Sequence, residues 1–399
     1  MSHSSSVTSR WSSEPRSRIP ATRLTDTARL HRYAEGVNQP PPHLPGSYLV
    51  VETTNKCSLA CIHCSVSEAG HPHHEQVGFI DPKLVLDLFD DLVRVRARFD
   101  TLILFWLGEP LIHPHVREIY QGALRANAAS PTGHRVFNKI ELHTNGTHLS
   151  PANIRVALND CAVPQVWHFS LDAARRDTYT AIKGRDRFEA VETNIARFIA
   201  EKGRLGARWP RPVFQFIVSH KNAAEVPSFR RRWESTCRRA GLPVVSAAQD
   251  VPGGEEAVVY FRQLDCPTAE EQARENRVFR EAMRREGLAL PRATQAPVVV
   301  ADENLAACGC WWKSPVVSWN GDVTVCTRDN LHHNKLGNLA QTPFSELWWG
   351  RQAAHRRAQV GRGDYSELPM CSTCFIPRSS NYTDVSAAER DQVAAWASK

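Results

Sequence analysis

Two rhythms of apolar and polar positions run along this chain. Short runs rich in apolar and β-branched residues recur at Tyr48–Val51 and over 101–106, 139–143, 166–172, 213–218 and 244–246, and each reads as a buried strand. Between them, apolar residues fall at helical spacing. Over 80–99 these are Leu84, Leu86, Leu88, Phe89, Leu92 and Val93, with Asp81-Pro82 as the N-cap and first turn. A second helix is expected over 188–199. Strands alternating with helices from 47 to about 250 imply an α/β fold with a parallel sheet and helical crossovers. Six such units are too few for a closed eight-fold barrel. Later the rhythm changes. A charged helix over 268–287 leads to a pair of short apolar strands around Asn320-Gly321, a dipeptide suited to a type I′ hairpin turn, and then to a helix over 344–359.

These shifts divide the chain into a disordered or partly helical tail (1–45), a core (46–250), a helical linker (251–305), a small second domain (306–385) and a C-terminal tail (386–399). The first tail carries a short expected helix over 21–35 and ends in the spacer Pro40-Pro41-Pro42. With 42% hydrophobic and 23% charged residues among 399, the composition is globular. No apolar run approaches the ~18 residues of a membrane span, and the first residues lack the apolar core of a secretory signal. A cytoplasmic protein without a membrane partner is expected. The net charge of +7 owes much to Arg-rich helices such as that around 229–233. No aromatic-interleaved basic stripe accompanies them, so no nucleic-acid partner is expected.

Eleven cysteines in such a chain point to metal or catalytic thiols before disulfides. Cys57, Cys61 and Cys64 stand at C-x3-C-x2-C spacing directly after the first strand. Three soft thiolates from one short loop suit three corners of a four-iron cluster and leave one iron open. The alternative is a structural zinc loop, for which His63 is poorly placed as a fourth ligand. Farther on, Cys308 or Cys310, Cys326, and the pair Cys371-x2-Cys374 suit a tetrahedral zinc or a fully ligated four-iron cluster equally well. Polar residues gather at strand ends: Gly108-Glu109-Pro110, Thr144-Asn145-Gly146, and Ser170 with Asp172. Ligands of parallel sheets bind at that edge.

The first cysteine triad, followed by Leu107-Gly108-Glu109-Pro110, Thr144-Asn145-Gly146, Tyr179 to Gly184 and Asn222 to Glu225, resembles the signature of radical S-adenosylmethionine (radical SAM) enzymes. Cys308, Gly321, Cys326 and Cys371-x2-Cys374 resemble the SPASM/Twitch extension of that superfamily. The resemblance implies a partial (β/α)6 barrel with a small auxiliary-cluster domain. It implies a [4Fe-4S] cluster on Cys57, Cys61 and Cys64 whose open iron chelates SAM, and one auxiliary [4Fe-4S] cluster on Cys308, Cys326, Cys371 and Cys374. In such enzymes SAM is cleaved reductively to a 5′-deoxyadenosyl radical that abstracts a substrate hydrogen. By the same likeness Gly108, Glu109, Pro110, Thr144, Asn145, Ser170 and Asp172 contact SAM, with the Glu109 region receiving its ammonium group. Lys183 stands where the family usually has Arg, which pairs a carboxylate bidentately.

The single-cluster layout resembles enzymes acting on sugars, cyclitols and aminoglycosides. The expected reaction is therefore oxidation or epimerisation of such a small molecule in secondary metabolism, with a flavodoxin or ferredoxin as electron donor. The alternatives are a peptide-modifying maturase and a non-catalytic zinc protein. Cys266, just before the second domain, is the candidate hydrogen donor that an epimerisation needs.

Overall fold

The computed structural model describes residues 40–64, 67, 76–130, 134–266, 268–290, 305–374, 377–378 and 385–397. The helix expected over 21–35 lies outside the described residues. Seven parallel strands make the core: β1 (Tyr48–Val51), β2 (Phe99–Leu104), β3 (Phe137–Thr144), β4 (Gln165–Ser170), β5 (Arg211–Val218), β6 (Val244–Ala248) and β7 (Ala257–Gln263). Helices α1 (Pro82–Arg94), α2 (Val116–Ala129), α3 (Pro151–Ala157), α4 (Arg176–Lys183), α5 (Phe188–Leu205) and α6 (Val226–Arg239) fill the crossovers, and α7 (Ala269–Arg285) follows β7. The strand order is β1-β2-β3-β4-β5-β7-β6, so the partial barrel stands as expected, with one insertion. Residues assigned above to a helical linker supply β7, which lies between β5 and β6 and parallel to both. The expected sixth strand, β6, is thereby moved to the edge, and the core extends to residue 263.

Local chemistry sets the element ends. Asp81 caps α1, its carboxylate accepting from the Lys83 amide at 2.9 Å. The helix stops at Arg94 and not near 99, because Arg96 takes a positive φ of 55° and the Ala97 amide turns back to the Leu92 carbonyl. The strand β2 then begins at once.

One face of the sheet packs under the helices. Trp167 stacks on Phe198 of α5, and Phe214 lies 4.6 Å from Trp233 of α6. Side chains of this size stabilise by about 1.5–3 kcal/mol each when fully buried. Strand register sends alternate residues to the other, inner face. There His143 pairs with His168, and His168 with Val213.

The second domain is an extension of the same sheet. Its hairpin, β8 (Val316–Val317) and β9 (Asp322–Thr324), adds to β1 through a parallel β1–β8 pairing, and β10 (Gly337–Asn338) closes that side. A short helix α8 (Cys310–Lys313) precedes it. Behind it lie α9 (Phe344–Trp349), α10 (Arg351–Gly361), α11 (Pro369–Thr373) and α12 (Ala387–Ala397). The single helix expected over 344–359 is two, broken at an extended Gly350 whose added Cβ would meet the Glu346 carbonyl at 2.0 Å. Buried Asp91 of α1 bolts the domains together, accepting from the Ser345 amide at 2.7 Å and its hydroxyl at 3.0 Å.

Candidate active site

The cysteine loop emerges from β1 and is clamped by the end of α4. The amides of Ala60 and Ile62 donate to the carbonyls of Lys183 (3.0 Å) and Ile182 (2.9 Å). Gly184 sits left-handed at φ 70°, and a Cβ there would stand 2.3 Å from the Ala60 carbonyl oxygen. That contact explains why a glycine ends the helix. The Tyr179 to Gly184 stretch thus grips the loop through its backbone.

Under the loop lies a buried ion pair, Lys183 Nζ to Asp172 Oδ2 at 2.6 Å. Burial works against the Lys183 charge, but the Asp172 carboxylate outweighs it and holds the ammonium protonated above its ordinary range. Asp172 itself takes a positive φ of 60°, and its Oδ1 accepts from the Ile217 amide at 2.7 Å. Both its oxygens are occupied and it is fully buried. In this way Asp172 fixes the loop after β4. Ser170 is half-buried at the C-terminal end of β4, level with Gln215. Asn222 and Glu225 complete this layer. The Asn222 amide group donates to the Asp172 carbonyl, and Glu225 accepts from the amides of Ala174 and Arg175.

Gly108 is equally constrained, since a Cβ would meet the Thr54 carbonyl at 2.1 Å. The Glu109 amide donates to the Lys56 carbonyl at 2.7 Å, so this turn also braces the cysteine loop. The buried Glu109 carboxylate accepts from the Thr144 hydroxyl (2.7 Å), the Asn145 amide (2.6 Å) and the Leu111 amide (3.0 Å). Burial pushes it up to about 7 against those three donors. Its oxygens thus tie the β2 and β3 ends together. The Asn145 side chain reaches Ser58 at 3.3 Å and the Cys57 sulfur at 3.6 Å. Cys57 faces the mouth, where loss of hydration pushes its thiol up to about 12, with Cys61 and Cys64 within electrostatic reach. Burial also raises Cys61, and neighbouring Lys183 opposes it. A bound cation reverses that preference by deprotonating its thiols. The three sulfurs, one loop and one shared mouth fit an iron–sulfur cluster with an open corner.

The second cysteine set is drawn from three segments. Cys371 senses Cys326 and Cys374, and the Tyr365 hydroxyl senses Cys308, Cys371 and Cys374 while accepting from the Cys308 amide at 2.9 Å. Asn334 Nδ2 points at the Cys371 sulfur (3.5 Å) and the Arg328 amide at that of Cys326 (3.3 Å). Cys310 also joins the group: its hydrogen bond is the leading cause raising the Cys326 thiol. Five thiols therefore meet where four suffice. Cys266 lies just past the C-terminal end of β7, its amide held by Gln272 at 2.9 Å.

One residue escaped sequence reading altogether. Buried Glu52, directly after β1, accepts from the Leu107 amide (3.3 Å) and the Trp319 amide (3.1 Å), joining the mouth to the second domain's hairpin. A carboxylate abutting an all-apolar strand was its signal. The Trp106 indole adds a second strut, donating to the Thr327 carbonyl at 3.1 Å.

Comparison with known proteins agrees with this layout. Residues 51–206 match the radical SAM superfamily, and residues 308–375 match the SPASM iron–sulfur cluster-binding domain. The mycofactocin maturase of Mycobacterium ulcerans is 26% identical over 207 residues, which is 51% of this chain and 49% of that protein. The chain thus spans about half the length of that relative. The antilisterial bacteriocin subtilosin biosynthesis protein of Bacillus subtilis is 22% identical over 377 residues, 91% of this chain and 73% of that one. Among solved structures, anSMEcpe with bound AdoMet superposes with a TM-score of 0.52 at 13% identity, over 90% of this chain and 93% of that one, and shares the fold. The same protein has been solved with a bound Cp18Cys peptide.

These relatives correct the expectation of a sugar, cyclitol or aminoglycoside-like substrate. They are a maturase and a bacteriocin biosynthesis protein. Among the described residues no helix is long and apolar enough to cross a membrane.

Proposed function

We propose, from the premise that this chain belongs to the radical SAM superfamily and carries a C-terminal SPASM domain, that it is a maturase modifying a peptide. The observation that carries this reading is the match to the subtilosin biosynthesis protein across 91% of the chain.

In this reading Cys57, Cys61 and Cys64 hold the SAM cluster, and Cys308, Cys326, Cys371 and Cys374 hold the auxiliary one. When bound, the first cluster supplies the electron that cleaves SAM, with a flavodoxin or ferredoxin as its source. The chain's own part is positional. The α4 end and the Gly108 turn fix the cysteine loop, Glu109 locks Thr144 and Asn145 beside it, and Asn145 reaches toward Cys57. Gly108, Glu109, Pro110, Thr144, Asn145, Ser170 and Asp172 are the groups proposed to line the SAM site. Cys266, on the mouth side of β7, is the candidate hydrogen-atom donor.

The test is anaerobic incubation of the reconstituted chain with SAM, dithionite and peptides encoded beside its gene, followed by mass spectrometry. A peptide that loses two hydrogens indicates oxidation, and one that gains a solvent deuterium without other change indicates epimerisation. In the second case Cys266→Ala retains 5′-deoxyadenosine formation and loses the inverted product. SAM cleavage coupled to a sugar or cyclitol, with every peptide unchanged, would overturn the proposal.

A further inference from the structure

We propose that Glu141, His143 and His168, on the inner face of the sheet, form a mononuclear site for a divalent transition-metal ion. The inference goes beyond the peptide reading and does not depend on it.

Register brings the three residues together. Glu141 and His143 sit two apart on β3 and so share a face, and His143 pairs directly with His168 of β4. Their ligand atoms all lie within 4.8 Å of one another. Glu141 Oε2 stands 3.3 Å from His143 Nε2 and 3.8 Å from His168 Nε2. Donors about 2.0–2.1 Å from a common ion are separated by roughly 3 to 3.4 Å, so small side-chain movements close the set. The remaining carboxylate oxygen, Oε1, is held at 2.6 Å by Lys139. A ligating carboxylate is commonly fixed in this way by an outer partner.

The second observation is the state of His168. It is 6% exposed, and its Nδ1 has no hydrogen-bond partner. Its Nε2 is too far from Glu141 for a hydrogen bond. An imidazole nitrogen buried among strands without a hydrogen-bond partner is unusual. The two rings now lie face to face, with centroids 4.1 Å apart and planes 28° apart. To share an ion their planes must open, and no side-chain hydrogen bond holds His168 in its present orientation. His143 is steadied on its other side by Phe105, 5.1 Å away.

Two imidazoles and one carboxylate suit zinc, iron(II) or manganese(II). Three protein ligands leave a coordination position open, as in catalytic metal sites. His143 directly precedes Thr144 and Asn145, so that open position lies just below the SAM mouth. An oxygen donor of the substrate, such as a carboxylate or amide carbonyl, is the chemical class it would take.

Cobalt(II) is the probe, added to the chain after both iron–sulfur clusters are reconstituted, so that the cluster thiols are occupied. One cobalt per chain should remain through gel filtration, with ligand-field absorption and no sulfur-to-cobalt charge-transfer band. X-ray absorption at the cobalt edge should show imidazole scattering. His168→Ala and Glu141→Gln should each weaken retention by more than the about 10–100-fold that loss of an outer partner produces, with iron content and circular dichroism unchanged. Failure of the wild-type chain to retain cobalt overturns the proposal. So does sulfur ligation, absence of imidazole scattering, or unaltered retention in a folded His168→Ala chain. Because the wild-type spectra suffice, a variant that fails to fold leaves the test intact.

Discussion

The two cysteine sets share one sheet but are held in opposite ways. Cys57, Cys61 and Cys64 come from a single short loop, and the chain itself shapes that loop: α4 clamps it from below, the Gly108 turn braces it, and Asn145 reaches toward its first sulfur. The second set is gathered from segments far apart in sequence, with Cys308, Cys326 and Cys371 each 6–8% exposed. Bringing distant segments together costs loop-closure entropy, and a metal that ligates all of them offsets that cost. The contrast teaches a rule about exposed iron. A cluster with an open corner needs a scaffold made by the chain, whereas a fully ligated cluster acts as part of the scaffold.

The largest expected effect separates the two directly. Replacing Cys57, Cys61 and Cys64 together by Ala should abolish SAM cleavage and reduce reconstituted iron from about eight to about four per chain. Thermal unfolding of the variant should stay close to wild type, because the loop keeps its backbone clamps. Replacing Cys326 and Cys371 should cost as much iron and lower the unfolding temperature as well. Equal unfolding shifts in the two variants would erase the contrast.

Within the second set, the surplus thiol allows a sharper cut. Cys308 shares the neighbourhood of Tyr365 with Cys371 and Cys374, while Cys310 bonds to Cys326. We expect Cys308→Ala to lose about four irons and Cys310→Ala to keep them, counted by iron assay after anaerobic reconstitution. The opposite result would exchange the two cysteines and leave the domain intact.

The scaffold under the first set should be the most sensitive to a single polar change. Asp172→Asn leaves Lys183 as an uncompensated buried cation, and removing one partner of a buried pair costs about 3–5 kcal/mol. Asn tolerates the left-handed backbone at this position, so the loss is electrostatic. Adding Lys183→Met should restore much of the stability, since apolar replacement of a whole buried pair is often neutral. Chemical denaturation of both variants checks this, and a double variant no better than the single one would count against the ion-pair account.

How much of this was legible in the sequence follows from the range of each interaction. Six of the seven core strands and the turns at their ends were readable, because apolar runs, Asn-Gly and Gly-Glu-Pro are local signals. The strand β7 was not, although Ala257-Val-Val-Tyr-Phe has strand composition. It inserts beside β5 after a helix-free connection, so neither the alternation of strand and helix nor sequence order marks its place. The glutamate and aspartate of the motifs were found, but not the partners they have within the chain. Glu109 meets residues 35 and 36 positions away, and Asp172 meets one 45 away, so no local pattern reports that their oxygens are already engaged. The substrate class was hidden for another reason: the cysteines encode clusters and carry no information about what enters the barrel.

The smallest effect concerns Glu52, the strut between the two regions. Burial pushes its carboxyl from the ordinary 4.5 up to about 7, against the hydrogen bonds from Trp319 and Leu107. The folded chain therefore holds a proton on Glu52 across that interval, while the unfolded chain releases it. Stability from this group is fully present below about 4.5 and is lost as pH rises through about 7. Its slope is at most about 1.4 kcal/mol per pH unit, the value for one proton. Glu52→Gln removes the titration but keeps one carbonyl oxygen to accept a backbone bond. Unfolding free energies measured from pH 5 to 7 should fall more steeply for wild type than for Glu52→Gln. The variant should start less stable at pH 5 and approach wild type toward neutrality. Parallel curves would show that Glu52 does not titrate in this window, and that the junction between the cysteine sets is insensitive to its charge.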